Sequence, residues 1–170
     1  MNVADAIRTK RAVREFLVTA LPDENVDNIL NAGRRAQSSK NEQAWHFVAV
    51  RSRRTLKELA ACGQWAGHLE NAALGVVILT AEPSRKFQTM FDAGQSAAYM
   101  QLAAWELGIA SCLATFHETE RVRATLGFPD EWHARIAISF GLPAHADALL
   151  RRPARGGRKA PQEIVHFDRW

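Results

Sequence analysis

The longest helical pattern in the sequence runs from Phe87 to Leu107, and it constrains the fold more than any other feature. Phe91, Ala98, Met100 or Tyr99, Leu102 and Trp105 recur along it at helical spacing, and Gly108 stands where a left-handed residue would end it. The pattern predicts the central, most buried helix of the chain. The elements around it must form layers on that helix.

Those elements are mixed in type. Residues 3–10 predict a short helix. "PDENVDNILNAGRRA" predicts a better one, with Pro22 at the first helical position, Asp23 and Glu24 at the positive end of the dipole, and Val26, Ile29, Leu30 and Gly33 on one face. "WHFVAVRS" reads as a strand, "RRTLKELAAC" as a helix, and the fully apolar "ALGVVILTA" as a second strand. Beyond the long helix come a strand in "IASCLATF", a helix in "ETERVRATL" stopped by Gly127 and Pro129, and a strand in "HARIAISFG". After Gly141 periodicity gives way to Pro, Gly and Arg, up to "EIVHFDRW", which reads as an extended arm laid on a partner subunit. The βαβ alternation is irregular, which favours an α+β arrangement over a doubly wound parallel sheet. At 170 residues one domain accommodates everything.

Composition excludes several classes. With 47% hydrophobic and 24% charged residues the chain is not generally disordered. No apolar run reaches the roughly 18 residues of a membrane span, and the N-terminus turns basic where an export signal turns apolar, so a cytoplasmic protein is expected. Cys62 and Cys112 are too few for a disulfide framework and read as small buried hydrophobes. No two histidines have the i, i+3 or i, i+4 spacing of metal ligands on one helical face, so no metal is expected.

The net charge of +4 is unevenly spread. Arg8, Lys10, Arg11 and Arg14 form one basic stretch, and Arg151, Arg152, Arg155, Arg158 and Lys159 another, together nine of the 22 lysines and arginines. They are either two solvated ends or an anion site, since guanidinium forks match phosphate oxygens. Nucleophile elbow, P-loop and dinucleotide fingerprint are all missing. "AQSSKNEQAWHF", residues 36–47, has more small polar side chains than a turn requires. Basic clusters and a polar junction with no evident acid, base or nucleophile suit a protein that binds a phosphorylated cofactor and leaves the hard chemistry to it.

In order along nearly the whole chain, these motifs resemble the nitroreductase family of FMN enzymes. "IRTKRAVREF" resembles its basic N-terminal signature, and "AQSSKNEQAWHF" its Pro-Ser-x-x-Asn-x-Gln-Pro-Trp-x-Phe junction. "FDAGQSAAYMQLAAWELGIASC" is similar to its Asp-x-Gly helix leading into Leu-Gly-x-x-Ser-Cys, "LGFPDEWHARIAISFGLPA" to its Leu-Gly-x-Pro and Gly-x-Pro blocks, and "GGRKAPQEIVHFDRW" to its C-terminal tail.

The resemblance implies a mixed, mainly antiparallel sheet flanked by helices, and a homodimer in which residues 150–170 form an arm extending the partner's sheet. It implies FMN with its phosphate held by Lys10, Arg11, Arg14, Arg158 and Lys159 or Arg155. Its ribityl chain and ring edge would be lined by Ser38, Ser39, Asn41 and Gln43, its pyrimidine edge reached by Gln64, and its N5 met by a backbone N–H from Ala114 or Thr115. NADH or NADPH would reduce the flavin, which would then reduce a nitroaromatic, a quinone or a similar small acceptor. Ala12, Gln37 and Ala44 depart from the family's usual Ser, Pro and Pro; loss of the Ser hydroxyl removes a bond worth about 1 kcal/mol and predicts weaker FMN retention. A specialised role within the family is an alternative: binding deazaflavin, fragmenting flavin or dehalogenating tyrosines. From another class, the basic ends could bind nucleic acid with Trp45, Trp65 and Trp170 as stacking residues.

Overall fold

The computed structural model describes residues 2–81, 87–149 and 157–170. Among the described residues, five helices and four strands follow in the expected order: α1 (Val3–Thr9), α2 (Asp23–Arg34), β1 (Trp45–Val50), α3 (Arg53–Ala60), β2 (Leu74–Ala81), α4 (Phe87–Glu106), β3 (Ala110–Thr115), α5 (Thr119–Leu126) and β4 (Trp132–Gly141), and a sixth, unexpected helical turn, α6 (Pro161–Ile164), lies in the arm. The strands form one sheet in the order β1-β2-β4-β3, with every pair antiparallel. The expected mixed character survives as one isolated parallel bridge between Ala12 and Ser111, outside the named strands.

β2 lies inside the sheet, and its side chains are buried on both faces from Leu74 to Thr80. That is why its sequence is apolar without alternation. On one face Leu74, Val76, Ile78, Ile138 and Phe140 pack with Ile29 of α2 and Met100 of α4. On the other, Val77, Leu79 and Ala137 pack with Leu56 and Leu59 of α3 and Val122 of α5. The result is a helix–sheet–helix sandwich, an α+β fold.

α4 is the central helix, and Met100 and Trp105 are buried as expected, but the rest of its buried stripe differs. Ala93, Ser96, Ala97, Met100, Gln101 and Ala104 face inward, whereas Ala98 and Tyr99 are exposed and Phe91 is 71% exposed. α2 presses close enough for the Ser96 hydroxyl to donate to the Gly33 carbonyl at 3.0 Å, so small side chains belong on that face and aromatic ones do not. Gly108 ends the helix at φ 72°, and the Ile109 N–H returns to the Ala104 carbonyl at 2.8 Å.

Pro22 sits one position earlier than expected, as the N-cap of α2. The arm is also only partly extended. Pro161–Ile164 is a single helical turn, started by Pro161 and closed by the Ala160 N–H donating to the Glu163 carboxylate at 2.8 Å. The chain beyond it is exposed, and His166 stacks on Trp170.

Candidate cofactor site

α1 rests on the C-terminal half of α4, where the Trp105 indole N–H donates to the Thr9 hydroxyl at 2.9 Å. The chain leaving α1 then runs beside β3, and the Val13 N–H donates to the Ser111 carbonyl at 3.1 Å. Lys10 and Arg14 are thereby brought to the start of β3. Burial lowers the Lys10 ammonium below its ordinary pKa, and the Arg158 charge adds to that effect. Burial also raises the Cys112 thiol, against the pull of Arg14 and Lys10. Lys10 and Arg14 of the first basic stretch thus lie near Cys112, and Arg158 of the second lies near Lys10. Arg11 turns back instead, donating through Nη1 to the Arg8 and Lys10 carbonyls at 3.0 Å, while its Nε is buried without a partner. Lys159 is exposed beside Arg158; Arg151, Arg152 and Arg155 lie outside the described residues.

The far end of β3 meets the loop that carries Gln64. The His117 and Glu118 N–H groups both donate to the Cys62 carbonyl, at 2.9 and 3.1 Å. Gly63 approaches so closely that a Cβ there would lie 2.1 Å from the Thr115 carbonyl oxygen. Gln64 and Trp65 stay exposed beside this contact. The two candidate N–H donors differ in direction. The Val13 bond to Ser111 marks 111 as pointing away from β4, and the Phe116 N–H bond to the Arg135 carbonyl marks 116 as pointing toward it. Backbone groups alternate along an antiparallel strand, so Ala114 faces β4 and Thr115 faces the open edge.

The polar junction lies at the other edge of the sheet, just before β1. Lys40, Asn41 and Gln43 all hold positive φ, at 52°, 55° and 48°. Such left-handed positions in L-residues cost on the order of 1–3 kcal/mol each and persist where surrounding contacts enforce them. Here the Asp92 carboxylate accepts the Ser39 N–H at 2.8 Å, the Ser38 hydroxyl accepts the Gln43 N–H at 2.9 Å, and the Gln43 side chain donates to Asn41 at 3.2 Å. Gln37, in the family's Pro position, donates to Gln95 at 3.0 Å. A groove of about 350 Å³ opens between Ser38 and Ser39 on one side and the exposed Phe87, Gln88, Phe91 and Gln95 on the other. Trp45 is buried in the core, which removes it as a nucleic-acid stacking residue.

Two residues without an assigned role in the sequence reading organise this site. Asp92 pins the junction to α4. His68, on the turn Gly67–Leu69, lies within hydrogen-bond distance of Leu113 and Ser139. Asp92 stood inside a quoted motif, whereas His68 gave no local signal because its partners are 45 and 71 residues away.

The nitroreductase family model matches residues 7–65 and 62–142. A protein of Archaeoglobus fulgidus assigned as an NADH dehydrogenase/NAD(P)H nitroreductase is 31% identical over 96% of both chains. Among solved structures, an FMN-dependent nitroreductase from Clostridium difficile R20291 superposes with a TM-score of 0.85 at 25% identity, covering 99% of this chain and all of that one. A protein of Bacteroides thetaiotaomicron VPI-5482, likewise assigned as an NADH dehydrogenase/NAD(P)H nitroreductase, gives 0.84 at 26%, covering 100% and 99%. The matched model spans most of the chain and takes in the basic N-terminus, the junction, the Gln64 loop and β3, so this chain belongs to the nitroreductase family of oxidoreductases.

Proposed function

We propose that the chain binds FMN as a homodimer and uses it to carry hydride from NADH or NADPH to a small acceptor such as a nitroaromatic or a quinone. The observation that carries this reading is the division of labour along β3. Cations gather near Cys112, and outward backbone donors lie a few residues on, about 10 Å away at roughly 3.3 Å per residue. An elongated ligand with an anionic end and an acceptor-bearing flat end suits that layout. The partly desolvated Lys10 ammonium is likewise a group that an anion would satisfy.

FMN, when bound, supplies the hydride chemistry at its N5. The protein's part is to hold and orient. Lys10, Arg14 and Arg158, with Lys159 beside them, bind the phosphate, and Arg11 braces Lys10 by capping α1. The outward Thr115 N–H would meet the ring edge, where a fixed donor stabilises developing charge without a titrating side chain. Gln64 reaches the pyrimidine edge from the adjoining loop.

Ser38, Ser39, Asn41 and Gln43 complete the cradle from a second copy. Within one chain they sit at the β1 edge, three strand spacings or about 14 Å from β3. The exposed Ile164, Phe167 and Trp170 of the arm supply apolar surface for that second copy to cover. The groove beside Phe87 and Phe91 offers aromatic faces and neutral amides to a flat acceptor.

Anaerobic mixing of the FMN-loaded protein with NADH and with NADPH tests the reading. Bleaching of the flavin by at least one of them, and its recovery on adding a quinone, is the expected result. A flavin that is retained but reduced by neither nucleotide contradicts it.

A further inference from the structure

β3 is the outermost strand of the described sheet, and an ordinary edge strand presents alternating N–H and C=O groups that invite another strand. This edge is different. The outward residues are 111, 113 and 115; the chain itself hydrogen-bonds the carbonyls of the first two and covers that of the third sterically. The Ser111 carbonyl accepts the Val13 N–H, the Leu113 carbonyl lies 3.2 Å from His68 Nε2, and the Thr115 carbonyl is covered by Gly63. Among the described residues, no hydrogen-bond partner lies on the outward N–H of Leu113 or Thr115. Over this stretch the edge offers donors only.

His68 is central to that arrangement. A carbonyl can only accept, so Nε2 carries the proton; in the neutral ring Nδ1 then accepts from the Ser139 hydroxyl at 2.8 Å, for whose one proton the Cys112 carbonyl at 3.3 Å is the competing acceptor. The buried ring is thereby held in one tautomer between two strands. We propose that His68 is a positioning residue: by clamping the Leu113 carbonyl it keeps the β3 edge donor-only. That edge selects a flat heteroaromatic ring with neighbouring acceptor atoms and rejects a competing strand. Its identification with the flavin N5 and O4 edge rests on the FMN reading above.

The test compares wild type with His68→Phe, His68→Gln and Ser139→Ala. FMN affinity is read by fluorescence titration, the phosphate end by competition with inorganic phosphate, and ring contact by the ¹⁵N shift of bound N5. We expect H68F to weaken FMN about tenfold, the equivalent of one neutral hydrogen bond. Its N5 shift should move toward that of free flavin while phosphate competes as before. H68Q, which keeps an N–H donor, should restore wild-type behaviour, and S139A should show a smaller effect of the same kind. A purely structural role would instead weaken flavin and phosphate together. That result, or an H68F variant indistinguishable from wild type, overturns the proposal while leaving the FMN reading intact. Wild type that takes up no FMN overturns both. If H68F does not fold, S139A carries the test with the same readouts.

Discussion

Burial holds the His68 imidazole below its ordinary pKa, with Arg14 acting in the same direction and the Leu113 carbonyl against it. The unfolded chain therefore binds the extra proton more readily than the folded one. Stability is complete above the ordinary histidine value near 6.5 and is lost as pH falls from there toward the folded-state value. Urea midpoints measured from pH 8 down to 5 should fall in that window for wild type and fall less for H68Q; parallel curves would contradict the assignment. Gly63 makes a second prediction. A Cβ 2.1 Å from the Thr115 oxygen forces backbone to move, so Gly63→Ala should cost about 1–3 kcal/mol and weaken FMN binding, read by thermal denaturation and titration. Neither residue announced itself in the sequence. The basic residues did, because charge is visible in a string of letters, whereas the close approach of Gly63 and the cross-strand bonds of His68 exist only once distant segments meet.

The helices and strands were legible because their periods and caps are local: Gly108 ends α4 as its position suggested, and the unbroken apolar run of β2 is an interior strand. The buried face of α4 was legible only in part, at Met100 and Trp105. Phe91 and Tyr99 satisfy a helical apolar pattern as well as Ala93 and Ala97 do, and only the nearness of α2 decides for the small residues. The junction was legible as a polar excess, but not as a run of left-handed residues tied to α4. That conformation predicts an unusual tolerance. Lys40→Gly removes a strained side-chain position, so the thermal midpoint should hold or rise, although glycine normally costs about 0.5–1 kcal/mol through chain entropy. Asp92→Ala removes the acceptor of the Ser39 N–H and should weaken FMN binding about tenfold with little change in the thermal midpoint. A wild-type affinity in D92A would mean that the junction holds its shape without α4.

At the scale of the whole molecule, one chain carries the polar junction and the β3 edge of the proposed flavin site on opposite edges of one sheet, with an exposed apolar arm beyond. Those features have a common explanation in a dimer that brings one copy's junction to the other's β3. Removing residues 161–170 should therefore yield a monomer by light scattering and abolish tight FMN binding together; a truncated chain that remains a dimer and binds FMN normally would separate the arm from the site. In the proposed site the cations near Cys112 hold a phosphate while the β3 edge holds a ring. Paired titrations of the apoprotein with FMN and with riboflavin, which lacks the phosphate, test it most directly. About one FMN should bind per chain, at least a hundredfold tighter than riboflavin, with most of that difference lost in Lys10→Ala and Arg14→Ala. Equal affinity for the two flavins, or a difference untouched by those substitutions, would contradict it.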